Sequence, residues 1–213
     1  FNMELKERIV ESSIRLFLQR GCKSVTMDDI VEENGISKRT LYEIFEDKNS
    51  LLMECLETVY ARTKTITDHI FATSNNVFEL IFRTYECQSD SGYHLRLSFL
   101  TELKKYYPEV YEQLLAKFSK YHYENTIKFI SRGQAEGLIM EQLDISIVSR
   151  TLITMSNIVI RDDTYDNVNA TKIEILKQTI LLYIRGISTE RGIKLLDNYL
   201  NNKQYDQKKN EKN

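Results

Sequence analysis

A chain of 213 residues, 42% of them hydrophobic, is long enough to bury a proper core and suits one compact domain with a small appended one. One proline, seven glycines and no run of alternating apolar and polar residues bounded by hairpin turns exclude a β-rich protein and favour an all-α fold. A net charge of −2 excludes a strongly basic architectural DNA protein, and no apolar run approaches the length of a membrane span.

In chain order, Phe1 and Asn2 precede Met3 and are set aside. Residues 4–21 predict a first helix with Leu5, Ile9, Leu16 and Phe17 on its core face. The stretch SVTMDDIVEENGISKRTLYEIFEDKNSLL, residues 24–52, then reads as two short helices joined by a glycine turn, with a third following at once. Thr26 can cap the first of these, ahead of the acidic Asp28 and Asp29. That helix sets Met27, Ile30 and Val31 on one side and ends near Asn34. Gly35 stands where a left-handed residue is needed, Ile36 plugs the turn, and Ser37 caps a second helix that opens with Lys38 and Arg39 and buries Leu41, Ile44 and Phe45. Cap, glycine and spacing describe a helix-turn-helix whose second helix can enter a DNA major groove.

Beyond it, Leu51, Leu52, Cys55, Leu56, Val59, Ile66 and Ile70 keep helical spacing from Lys48 to about Ile70. Thr73 to Asn76 reads as a loop, Val77 to about Gln88 as a helix, and Ser89 to Gly92 as a second loop. Tyr93–Tyr106 is predicted helical, and Pro108 suits the first turn of a long helix reaching about Gln134. Gly137 closes this region. Asp144 can cap a helix over Ile145–Arg161, a polar loop follows, and helices are expected over Ala170–Ile187 and Glu190–Leu200. The tail NNKQYDQKKNEKN is polar and without periodicity, so residues 201–213 are expected to be disordered.

The N-terminal pattern resembles the DNA-binding domain of TetR-family transcriptional regulators. The resemblance is carried by Ile9, Ser13, Phe17, Gly21, Thr26, Ile30, the run Gly35-Ile36-Ser37-Lys38, the triplet Thr40-Leu41-Tyr42, Phe45, Lys48 and Leu51-Leu52. It covers about residues 9–52 without a gap. Glu43 departs from it, at a recognition-helix position that is often aromatic or basic in relatives. The resemblance implies an N-terminal three-helix DNA-binding domain, residues 3–50, and a larger helical ligand-binding and dimerisation domain, residues 51–200. It also implies a homodimer on a pseudo-palindromic double-stranded operator, and release from that operator by a small-molecule effector.

For DNA, the expected contacts are Thr26, Ser37, Lys38, Arg39, Thr40, Tyr42, Glu43 and Lys48. Thr26, Tyr42 and Lys48 resemble the family's phosphate-contacting positions. Lys38, Arg39 and Thr40 sit where base edges can be reached, Arg39 being suited to guanine and Glu43 to cytosine. Residues 3–50 carry eight basic and ten acidic side chains, so placed cations rather than bulk potential must supply the affinity.

The region from 71 to 160 is rich in aromatics, and a pocket for an effector would draw on Phe82, Tyr85, Phe99, Tyr107, Tyr111 and Phe118, with His122 and Asn125 as polar insertions. Ordinary aromatic core packing is the equally available reading. Two later helices are apolar on more than one side, so Leu152, Met155, Ile158, Leu176, Ile180 and Tyr183 serve either a dimer interface or a central core. The family's dimerisation there favours the interface.

Cys22, Cys55 and Cys87 form no disulfide framework or zinc spacing, and His69, His94 and His122 no metal pair. No metal, cofactor, catalytic motif or membrane contact is expected, and with no secretory signal the expected location is the cytoplasm. The alternative is a helical protein-interaction module that keeps the fold without binding DNA, for which the acidic N-terminal domain and Glu43 are the warrant.

Overall fold

The computed structural model describes residues 2–90, 97–161, 165, 175 and 177–210. The chain is all-α: α1 (Asn2–Arg20), α2 (Met27–Asn34), α3 (Lys38–Ile44), α4 (Lys48–Thr73), α5 (Val77–Asp90), α6 (Leu97–Tyr106), α7 (Pro108–Ala135) and α8 (Ile145–Arg161). A π-helical turn (Lys177–Leu181) leads into a short helix (Leu182–Ile187) and a C-terminal helix (Glu190–Asn210). Among the described residues the β pairing is limited to an isolated antiparallel bridge between Ile139 and Ser188.

Three elements differ from the sequence reading. First, α5 runs on to Asp90, into the stretch read as a loop, while the start of the helix expected at Tyr93 lies outside the described residues. The uniform helix expected over Ala170–Ile187 instead contains the wide turn at Lys177–Leu181; residues 166–174 and 176, Leu176 among them, lie outside the described residues. There the Thr179 hydroxyl donates to Ile175 O at 2.7 Å, competing for an acceptor the α-helical ladder uses. Finally, the C-terminal helix passes Leu200 and reaches Asn210, because NNKQYDQKKN holds no Gly or Pro and its Lys and Gln are good helix formers. Residues 211–213 lie outside the described residues.

The chain forms two compact units, Phe1–His69 with Cys87–Ser119, and Ile70–Glu86 with Lys120–Asn213. In the first, α1 to α3 do not close a core alone. Phe17, Ile30, Leu41 and Leu52 share one apolar cluster with Phe99 and Leu103 of α6 and with Val110 and Leu114 of α7. Glu102 ties α6 to the α1–α2 connection, accepting from Lys23 N at 3.1 Å and from the Cys22 thiol at 3.6 Å. Burial, followed by the nearby Glu102 charge, pushes the Cys22 thiol up to about 11. Cys55 is buried beneath Val10 O and is also pushed up, chiefly by burial. Both thiols are therefore protonated and shielded at neutral pH, whereas Cys87 is half-buried. Titration with a chromogenic disulfide at pH 7.5 is expected to modify Cys87 in the native protein and Cys22 and Cys55 only after unfolding.

In the second unit, Phe78, Ile130, Leu138, Ile139, Ile184 and Leu196 centre the core. After α7 the chain turns at Gly137 and pairs with the segment between the last two helices, Met140 N donating to Ile187 O and Thr189 N to Leu138 O, both at 3.0 Å. The first turn of the C-terminal helix presses so closely on this turn that a Cβ on Gly192 would lie 2.1 Å from Leu138 O. Only glycine fits there.

Candidate nucleic-acid interface

The helix-turn-helix is built from two well-capped helices. Thr26 Oγ1 accepts from Asp29 N at 3.2 Å and Asp29 Oδ2 accepts from Thr26 N at 2.7 Å, a reciprocal capping box at the start of α2. Gly35 takes φ 61°, in the left-handed region, so that its N–H reaches Glu32 O and Ile36 N–H reaches Val31 O. A residue with a Cβ would be strained there although no atom stands in its way. Ser37 Oγ accepts from Thr40 N at 3.0 Å and starts α3. Leu41 (0% exposed) and Phe45 (3%) anchor α3 in the core, while Ile44 is half-buried against it.

The opposite face of α3 is open to solvent. Ser37, Lys38, Arg39, Tyr42 and Glu43 are exposed, as is Thr26 at the start of α2, and Thr40 is half-buried. Tyr42 stands half exposed without being part of the core, an unusual cost for an aromatic ring on a surface helix. Lys38 Nζ lies 2.8 Å from Asp28 Oδ1, and that hydrogen bond, with the carboxylate's charge, raises the Lys38 pKa. Arg39 Nε donates to Glu43 Oε1 at 2.9 Å one turn on. Both pairs are solvent-exposed and weakly held, so incoming phosphate or base groups can replace the carboxylates. Lys48 opens α4 with its ammonium 5.1 Å from the centre of the Tyr107 ring. The start of α4 is capped by Asp47, whose Oδ1 accepts from Ser50 N at 2.7 Å.

Two supporting interactions carry no local sequence signature. Asn34, at the end of α2, donates its amide to Ser12 Oγ of α1 and to Ile30 O, both at 2.8 Å, which fixes α2 against α1. Arg20 closes the same pair of helices by meeting Asp29 at 3.1 Å. Asp29 is held down at about 2 by the Thr26 hydroxyl, then the Thr26 N–H, with Arg20 adding to it. A carboxylate with a depressed folded pKa contributes stability that is present above its unfolded value and lost as pH falls through the folded one. Asp29→Asn is therefore expected to lower the denaturant midpoint at pH 7, and the gap to the unaltered protein is expected to close between about pH 4 and pH 2. A gap that persists at pH 2 would contradict the capping account.

The residues considered for an effector pocket divide between the cores of the two units. Phe99 is buried in the first, and Tyr107, Tyr111 and Phe118 pack against that core partly buried. Phe82 is buried in the second, stacked on Tyr199 with ring centres 5.5 Å apart. Tyr85 lies in α5; on α7, Asn125 is half-buried and His122 exposed. The first unit also has a small, partly open apolar pocket between α1, α4 and Phe99. Of the interface candidates, Leu152 and Ile180 are buried in the second unit, Met155 and Tyr183 pack against that core, and Ile158 lies in α8. Among the described residues of the same helices, Ile147 and Leu182 are large apolar side chains left exposed, each 64% exposed.

Residues 9–55 match the model of the bacterial regulatory proteins, tetR family. The chain is 33% identical over 104 residues to the uncharacterized HTH-type transcriptional regulator YvaF of Bacillus subtilis, covering 48% of this chain and 54% of that protein. It is 24% identical over 110 residues to IcaR of Staphylococcus aureus, the HTH-type negative transcriptional regulator of the biofilm operon icaADBC, covering 52% of this chain and 53% of IcaR. The chain thus spans about half the length of the curated relatives it matches. Among solved structures, a TetR-family transcriptional regulator from Cytophaga hutchinsonii superposes with a TM-score of 0.72 at 14% identity, over 89% of this chain and 97% of that one. The helix-turn-helix region, residues 9–55, thus matches the bacterial regulatory proteins of the tetR family in register, and the fold is shared along most of the chain with the Cytophaga hutchinsonii protein.

Proposed function

We propose that this protein is a sequence-specific DNA-binding transcriptional regulator, a repressor that leaves its operator when a small-molecule effector binds. The observation that carries the DNA reading is the solvent face of α3, where Lys38, Arg39, Tyr42 and Glu43 stand exposed on a helix fixed from behind by Leu41 and by caps at Ser37 and Gly35. Thr26 and Lys48, at the starts of α2 and α4, flank it as phosphate contacts, where helix N-termini favour anions. IcaR, a negative regulator, supports the sign of control.

The protein acts as a homodimer, so that two copies of α3 read two half-sites of a pseudo-palindrome. The exposed Ile147 and Leu182 support an interface on α8 and the Leu182–Ile187 helix. The effector part of the reading rests on aromatic surface that the cores only partly cover, at Tyr107, Tyr111 and Phe118. By linkage, an effector that weakens operator binding is itself bound more weakly by the operator complex, by the same factor.

Selection of duplexes from random-sequence DNA tests the central claim. Enrichment of an inverted repeat, protected in footprints by the protein as a dimer, is the expected result. Recovery of no preferred sequence would reject the reading.

A further inference from the structure

The first unit holds a local grouping of lysines on tyrosine rings, outside α3. Lys23 and Lys105 bring their ammonium groups to 4.9 and 5.2 Å from the centre of the Tyr106 ring, and Lys104 lies 5.9 Å from that of Tyr111. Beside them stands Lys48, against Tyr107. All three of Lys23, Lys104 and Lys105 are exposed, and Tyr106 is 38% exposed, a large aromatic ring left at the surface. Glu102 stands among them, its carboxylate turned to the Lys23 N–H and the Cys22 thiol, and Asp47, Glu109 and Glu112 adjoin the same residues in sequence.

Gathering like charges costs self-repulsion, which the ring faces offset only in part. The departure stands out because residues 3–50 carry more acids than bases. Position suggests the anion: Lys23 lies three residues before Thr26, and Lys48 is near enough to lower the Cys22 pKa by its charge. The cluster therefore borders both helix starts assigned to phosphate contacts. An ammonium is a point charge without fixed geometry, suited to a phosphate backbone rather than to base edges. Lys23 and Lys105 also lower the Tyr106 pKa, Lys23 most.

We infer that Lys23, Lys104 and Lys105, gathered about Tyr106 and Tyr111 beside the Lys48–Tyr107 contact, form an accessory surface that binds the phosphate backbone of duplex DNA flanking the half-site read by α3. The inference rests on the proposed DNA reading and adds a contact on which sequence selectivity does not depend. It explains how a chain of net charge −2 reaches DNA phosphates: four lysines are grouped about three tyrosines, although Lys and Arg as a whole are spread over both units.

The test uses the full-length protein and an operator duplex selected from random-sequence DNA. The triple variant K23Q/K104Q/K105Q keeps stems that cover the rings. It is compared with a charge-matched control, K120Q/K128Q/K194Q, whose lysines are exposed in the second unit. Each lost phosphate contact is expected to flatten the slope of log K against log salt by about 0.9, so the triple variant should lose about two units or more while preferring the same sequence. The unaltered protein should bind a duplex with long flanks more tightly than one cut at the operator edges, and the triple variant should not. Equal slopes and equal flank dependence in variant and unaltered protein, or the same change in the control, would overturn the inference while leaving the DNA reading intact. Loss of binding to anionic vesicles with an unchanged DNA slope would assign the lysines to a membrane surface and overturn it too. Failure of the unaltered protein to select any sequence rejects the DNA reading and this inference together.

Discussion

Arg39→Ala is expected to abolish selective operator binding while leaving the helical content, melting temperature and oligomeric state unchanged. Arg39 is 89% exposed and, among the described residues, is tied to Glu43 by a hydrogen bond, so truncation removes little packing. A bidentate arginine–guanine contact discriminates by roughly tenfold to a hundredfold per site, and a dimer presents it twice, so the combined loss is of the order of a hundredfold or more. Because α3 is held by Leu41 and Phe45 from behind and by Ser37 at its start, the remaining contacts stay in place. Fluorescence anisotropy on the selected operator and on scrambled DNA checks this. Equal losses on both would place Arg39 on the backbone instead of a base.

Glu43 gives the same experiment a second arm. As a partner of Arg39 at 2.9 Å it either orients the guanidinium for a base or competes with DNA for it. Glu43→Gln keeps a hydrogen-bond acceptor and removes the charge. Tighter binding to all sequences would identify Glu43 as a competitor that suppresses non-specific affinity, and relaxed preference at one base pair would identify it as a reader or an orienter.

The helix-turn-helix was legible in the sequence because its information is local. A left-handed turn needs glycine, an exposed helix start needs an acceptor such as Thr26 or Ser37, and Leu41 and Phe45 repeat at helical spacing. What was not legible depends on residues far apart in the chain. Glu102 reaches Lys23 across 79 positions, and no local pattern marks α6 as part of the unit that carries α3. For the same reason the aromatics from Phe82 to Phe118 read as one group, whereas tertiary packing assigns Phe99 and Phe118 to one core and Phe82 to the other. Hydrophobic period tells which face is buried and not against what. The wide turn at Lys177–Leu181 escaped because a single π turn leaves the apolar spacing on either side almost unchanged.

Arg132→Ala is expected to destabilise the second unit more than any exposed-charge substitution, because its guanidinium satisfies three acceptors at once. Nη1 donates to Phe71 O at 2.7 Å and Nη2 to Ser74 O at 2.5 Å, where the end of α4 leaves carbonyls without helical partners. Nε donates to Glu136 Oε1 at 2.6 Å, and the other oxygen of Glu136 accepts from Val77 N at 3.0 Å, at the start of α5. The pair on α7 thereby closes the carbonyl end of one helix and the amide end of the next. Both side chains are about a quarter exposed, so solvent replaces these bonds only in part. Hydrogen bonds to charged groups are worth about 1.5–3 kcal/mol each and are not additive, so truncation is expected to cost about 3 kcal/mol. For a chain of this size that lowers the melting temperature by about 6–12 °C. Arg132→Lys keeps the charge but cannot reproduce the planar fork, and should recover less than half of the loss. Glu136→Gln keeps an acceptor for Val77 N and should cost less than either. Amide exchange distinguishes this role from general destabilisation: in Arg132→Ala the amides from Ser74 to Leu80 should lose protection under conditions where the amide of Leu41, in the other unit, keeps it. Uniform loss through both units would show that Arg132 supports the chain as a whole, and unchanged protection at Val77 would show that Glu136 holds the start of α5 without it.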